Sequence, residues 1–170
     1  MFRPGRRQPI AASRERDRYG LPFAVVAARH TPAGLAAMLI AQATVLEVVK
    51  EASGKMQDPN YSAVMVGGFV QTQGPAAHYI SAHAAELGGA EGVVNTIFHA
   101  AVIALCFQRG NRRSVRNIRF DELDHVASGD REATLRSQQP AVLDYIEINV
   151  EVPAMKQVLT LLALAMELVS

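Results

Sequence analysis

The last apolar stretch of the chain, PAMKQVLTLLALAMELV from Pro153 to Val169, constrains the fold more than any other segment. Lys156, Thr160, Ala163 and Glu167 recur at intervals of four, three and four, which on a helix makes one narrow stripe that tolerates water. Met155, Val158, Leu159, Leu161, Leu162, Leu164, Met166, Leu168 and Val169 cover the rest of the circumference. Such a helix is either the centre of a bundle or a surface element whose burial a second subunit completes. Terminal helices are more often peripheral, so the expectation is a symmetric homo-oligomer contact through Leu161, Leu164 and Leu168.

The remaining segments also read as helix. The chain has 170 residues, enough for one domain, with 49% hydrophobic and 19% charged residues, a globular balance. There are 27 Ala and no Trp, which favours helices packed closely through small side chains over a large aromatic core. Thr31-Pro32 caps a helix from Ala33 to Ala52, which Gly54 closes. The run from Tyr61 to Gln73, with its central Gly67-Gly68, suits a closely packed helix or a strand, and helix is the preferred reading. Gly74-Pro75 starts a helix to Leu87, Gly88-Gly89 ends it, and Ala90 to Phe107 forms the next, stopped by Gly110-Asn111. Asp121 to Val126 makes a short helix. Ser128-Gly129-Asp130 turns into another. Residues 146–152, IEINVEV, alternate in the strand period, yet Pro140 starts a helix on which Val142, Leu143, Ile146 and Val150 share a face. No repeat occurs at solenoid periods.

The expectation is therefore a mainly all-α, single-domain helical bundle of six or seven helices over residues 21–170, preceded by a flexible Arg-rich arm, residues 1–20. The alternative is α+β, with short strands near 21–28, 115–120 and 145–152. Neither the short apolar run after Gly20 nor the uncharged stretch from Pro59 to Ala85, broken by polar residues, has the form of a signal or a membrane span. The single Cys106 has no internal partner for a disulfide, which fits a reducing cytoplasm, and it sits in an apolar run where a thiol acts as a small hydrophobe.

Charge is segregated. Residues 1–18 carry +4, residues 109–119 carry +5, and residues 121–170 carry −6 within a net charge of +1. Of 17 basic residues 14 are Arg, whose planar fork suits carboxylate or phosphate. Arg109, Arg112, Arg113, Arg116 and Arg119 are the densest group and could hold phosphates of a nucleic acid, although aromatics for base stacking are nearly absent beside them. The acidic C-terminal third offers them an alternative partner.

Two further constellations carry possible chemistry. Glu122 and His125 have the Glu-x-x-His spacing that places a carboxylate and an imidazole on one helical face, as in bundle metal sites, though such sites need more ligands than this one pair. Asn95 and His99, four apart in an apolar helix, form a candidate buried polar pair. Nucleophile-elbow, Walker, His-Glu-x-x-His and Cys-x-x-Cys patterns are absent. No cofactor is expected, a metal ion on Glu122 and His125 being the one opening. These observations lean away from an enzyme and toward a cytoplasmic, homo-oligomeric protein-interaction or scaffold protein. The alternatives are a nucleic-acid or phosphate binder and a metal-dependent helical enzyme.

Overall fold

The structure, a computed structural model, describes residues 38–170, all within one compact unit of residues 35–170. The expected arm, the strand alternative at 21–28 and the Thr31-Pro32 cap lie outside the described residues. Helices take up 79% of what is described and no strand occurs among the described residues, so the all-α reading holds there. The helices are α1 (Gln42–Lys55), α2 (Pro59–Thr72), α3 (Gly74–Ala82), α4 (Ala84–Leu87), α5 (Ala90–Asn111), α6 (Phe120–Val126), α7 (Arg131–Gln138), α8 (Pro140–Asn149) and α9 (Pro153–Val169). Among the described residues that makes nine rather than six or seven. One extra break falls at His83, whose Nδ1 lies 2.9 Å from the Tyr79 carbonyl oxygen. The ring thereby occupies the acceptor that the His83 backbone N–H would use in an unbroken helix.

Helix ends depart from the expected boundaries for identifiable reasons. Residues 38–41 are not helical, because the buried Gln139 side chain captures this segment: Ile40 N–H donates to its Oε1 at 2.8 Å, and its Nε2 donates to the Met38 carbonyl at 3.2 Å. Gly54 remains inside α1 rather than closing it. Gly110 does not stop α5 either. It is glycine because Ile40 lies against it, and a Cβ there would sit 2.9 Å from Ile40 Cγ1. The left-handed residue that ends α5 is Arg112, at φ 54°. Gly88 and Gly89, at φ 90° and 87°, do turn the chain between α4 and α5 as expected. The strand alternative at 145–152 yields to helix up to Asn149, after which Val150 becomes extended.

α9 is the centre of the bundle, packed on α4, α5, α6, α7 and α8. The expected interface residues Leu161 and Leu164 are buried inside the chain itself, Leu161 at 1% exposure, and only Leu168 reaches the surface, at 50%. The reading of Leu161 and Leu164 as an oligomer interface is thereby corrected. The stripe taken as water-compatible is covered too, since Thr160 and Ala163 are buried. Each fully buried aliphatic side chain of this helix contributes roughly 1.5–3 kcal/mol of transfer free energy. α5 is the one helix among the described residues long and apolar enough to cross a membrane by length and composition, and half of its apolar stretch is buried in the bundle.

The packing has an approximate twofold pattern. Exchanging α1 with α6, α2 with α7, α3 with α8 and α5 with α9 maps the principal helix contacts onto one another: α1–α5 onto α6–α9, α2–α5 onto α7–α9, α3–α5 onto α8–α9, and α1–α8 onto α3–α6. Only α4 has no counterpart. At matching places stand two buried glutamines. Gln73 separates α2 from α3 and Gln139 separates α7 from α8, each followed by a proline in the first turn of the next helix. Gln73 Oε1 accepts from Ile118 N–H at 2.9 Å and its Nε2 donates to the Arg116 carbonyl at 3.0 Å, the same pairing that Gln139 makes with Ile40 and Met38. Each buried amide thus fastens the extended lead-in of a helix from the opposite half.

Candidate functional site

The basic segment expected to grip phosphate is the link between α5 and α6, residues 112–119. Gln73 holds it from inside, and Asn117 Nδ2 donates to the Thr72 carbonyl at 2.9 Å from outside, so it lies along the C-terminal end of α2. Of the four arginines of the link and Arg109 on the last turns of α5, three are turned to carboxylates. Arg109 bonds Glu51 and stands 3.8 Å from Glu47; Arg116 bonds Glu122; Arg119 reaches Asp121 at 3.3 Å and Glu122 at 3.4 Å. Lys55 and Arg109 hold the Glu51 carboxyl down at about 2, and the Arg116 guanidinium lowers that of Glu122. Arg112 and Arg113 are exposed and have no ion pair among the described residues. Carboxylates thus compete for three of the five arginines expected to meet phosphate.

The same contacts redefine the proposed metal pair. Glu122 Oε1 and Oε2 both accept from Arg116, and Oε2 also accepts from Arg119 N–H at 2.9 Å, closing a capping box on α6. That carboxylate neutralises arginine and caps a helix, and His125 is exposed one turn away. Among the described residues no group of three His, Cys, Asp or Glu side chains is placed to hold a metal ion. The carboxylate that the sequence offered as a metal ligand is engaged instead by two guanidinium groups and the Arg119 backbone N–H.

Asn95 and His99 do not form a pair. Asn95 is exposed, whereas half-buried His99 places Nδ1 2.7 Å from the Tyr145 hydroxyl across from α8. Burial lowers the pKa of His99 and raises that of Tyr145, so a neutral imidazole and a neutral phenol share this bond. Burial likewise pushes the Cys106 thiol up to about 12, which keeps it protonated and unreactive.

The structure adds a feature that residue types alone did not suggest. An open groove of about 270 Å³ runs between α2 and α5 and ends on the 112–119 link. Val64, Met65, Phe69, Ala101, Ala104 and Leu105 give it apolar walls; Thr72, Gln108 and Ser114 make its far end polar. It stays open because Gly68 lines it without a side chain, and a Cβ there would meet nothing within 4 Å. Arg113 directly precedes the lining residue Ser114 in the chain, although neither it nor Arg112 lines the groove itself. The sequence signal was the Gly67-Gly68 pair, read as close packing on a neighbour; α2 turns Gly68 and Val64, 71% exposed, outward instead. No protein-family model, curated protein or solved structure matches the chain.

Proposed function

We propose that this chain is an interaction module whose α2–α5 groove takes an acidic, amphipathic segment of a partner protein. The groove carries this reading: an apolar channel walled by two helices accepts aliphatic side chains spaced one helical turn apart, and the unpaired Arg112 and Arg113, next in the chain to its lining residue Ser114, bring positive charge that favours an acidic segment. The arrangement does not favour phosphate, because three of the five arginines already have carboxylate partners. The lone buried Cys106 supports a cytoplasmic setting, and the burial of α5 and α9 supports a bundle working among proteins rather than lipids.

Selection of displayed random peptides tests the reading. Wild-type protein should enrich sequences with apolar residues at i and i+4 beside Asp or Glu. Gly68→Leu, whose Cβ would have free space and whose side chain would occupy the groove, should abolish their binding, and Arg112→Glu with Arg113→Glu should weaken it most at low salt. Peptides that bind Gly68→Leu as well as wild type, or no enrichment at all, would overturn it.

A further inference from the structure

We infer that Ser114, at the polar end of the α2–α5 groove, is a phosphorylation site for a serine kinase that recognises arginine ahead of its target, and that the phosphate closes the groove to acidic segments. This rests on the groove reading above and names the regulation of that same site.

Hydroxyls within the helices are engaged by their own backbone: Thr72, Ser81, Thr96 and Thr160 each donate to a carbonyl one turn back, at 2.7–2.9 Å. Ser114 differs on each count. It is exposed, it lies in the non-helical link between α5 and α6, and its hydroxyl makes no hydrogen bond among the described residues. The two residues before it, Arg112 and Arg113, have no ion pair among the described residues, whereas Arg109 and Arg116 are bound to Glu51 and Glu122. Two unpaired guanidinium groups directly ahead of an accessible serine are a charge pattern that an acidic kinase pocket selects. Gln73 holds the chain from Val115 onward, so a group added to Ser114 stays at the mouth of the groove.

In the transfer, Ser114 Oγ forms a bond to the γ-phosphorus of a magnesium-bound nucleoside triphosphate. The bond from that phosphorus to the β,γ-bridging oxygen breaks, the diphosphate leaves, and the hydroxyl proton passes to the catalytic carboxylate of the kinase. The phosphoserine carries a charge of about −1.5 to −2 at pH 7. None of the described residues that line the groove is charged, so the phosphate sets the sign of its polar end. It also offsets Arg112 and Arg113, the cations that favour an acidic segment. Both changes oppose binding.

Full-length protein incubated with magnesium, ATP and an arginine-directed serine kinase should take up phosphate on Ser114, located by mass spectrometry. Arg112→Gln with Arg113→Gln, changes at exposed positions, should slow that modification by roughly 10-fold or more. At low salt the phosphorylated protein should bind the peptides enriched by unmodified wild type roughly 10-fold more weakly, and phosphatase treatment should restore the binding. No phosphate on Ser114, while a control peptide with two arginines before its serine is modified, overturns the inference. So does modification equally fast without the two arginines, or equal peptide binding by the two forms. Phosphate on Ser114 of a protein that enriches no peptide in either form removes the groove reading and the switch with it; enrichment sensitive to Gly68→Leu without modification of Ser114 removes the switch and leaves the groove reading standing.

Discussion

The Gln73 and Gln139 junctions do the same mechanical work with different chemistry. Each buried amide accepts from an isoleucine N–H and donates to the carbonyl two residues earlier, holding an extended segment against a helix break. Gln73 completes its bonding with main chain alone, its Nε2 also lying 3.3 Å from the Val115 carbonyl. Gln139 Nε2 donates instead to Glu167 Oε2 at 2.8 Å, from the end of α9. Burial raises the pKa of Glu167, and its Oε1 is buried with no hydrogen-bond partner among the described residues. The Gln139 amide thus bonds a titratable group and the Gln73 amide does not. Equivalent topology thus does not bring equivalent chemistry, because the fold fixes the backbone pairing and leaves the third partner to whatever group lies nearby.

The largest effect should come from breaking what both halves share, the α5–α9 centre. Ile103→Glu on α5 and Leu161→Glu on α9 each bury a carboxylate in a position with essentially no solvent contact, and circular dichroism should report loss of the fold. Leu168→Glu, at the surface end of α9, should fold normally. A folded Leu161→Glu protein would mean that α9 is not central.

Gln73→Ala and Gln139→Ala come next. Each orphans a buried N–H and at least one carbonyl, at roughly 1–3 kcal/mol per group, so urea denaturation should show losses of several kcal/mol at both sites. A large loss at one and none at the other would end the equivalence of the two junctions.

Glu167→Gln sharpens the difference between them. A carboxyl whose folded pKa is raised adds stability that is fully present below its unfolded pKa and lost as pH rises through the folded value. Wild type should therefore give up part of its urea midpoint between pH 4 and 8. Glu167→Gln should be more stable than wild type at pH 8 and no better at pH 4. Equal pH dependence in the two proteins would show that the carboxyl is solvated.

The smallest effect separates two matching tyrosines, Tyr79 and Tyr145, each six residues after its glutamine. Tyr145→Phe removes the hydrogen bond to His99 and should lose about 1 kcal/mol by chemical denaturation. Tyr79→Phe should be near neutral, because among the described residues its hydroxyl makes no hydrogen bond. Comparable losses at both positions would show an unrecognised partner at Tyr79.

The sequence by itself determined the helical class, most helix positions, the Gly88-Gly89 turn and the Asp130 cap, because periodicity, capping residues and glycine conformation are local properties of a few neighbouring side chains. It also narrowed α9 to two fates, centre or interface. Only the tertiary structure decided between them, since burial of an all-round apolar helix depends on which other helices arrive beside it. The same holds for Glu122, whose spacing to His125 looks like ligand geometry until Arg116 and Arg119 fold back onto it, and for His99, whose partner lies on α8 rather than four residues away. The groove and the two glutamine locks arise between segments distant along the chain. Residue type marked them faintly, by a glycine pair and by a glutamine one or two residues ahead of a proline, and long-range packing gave those marks their meaning.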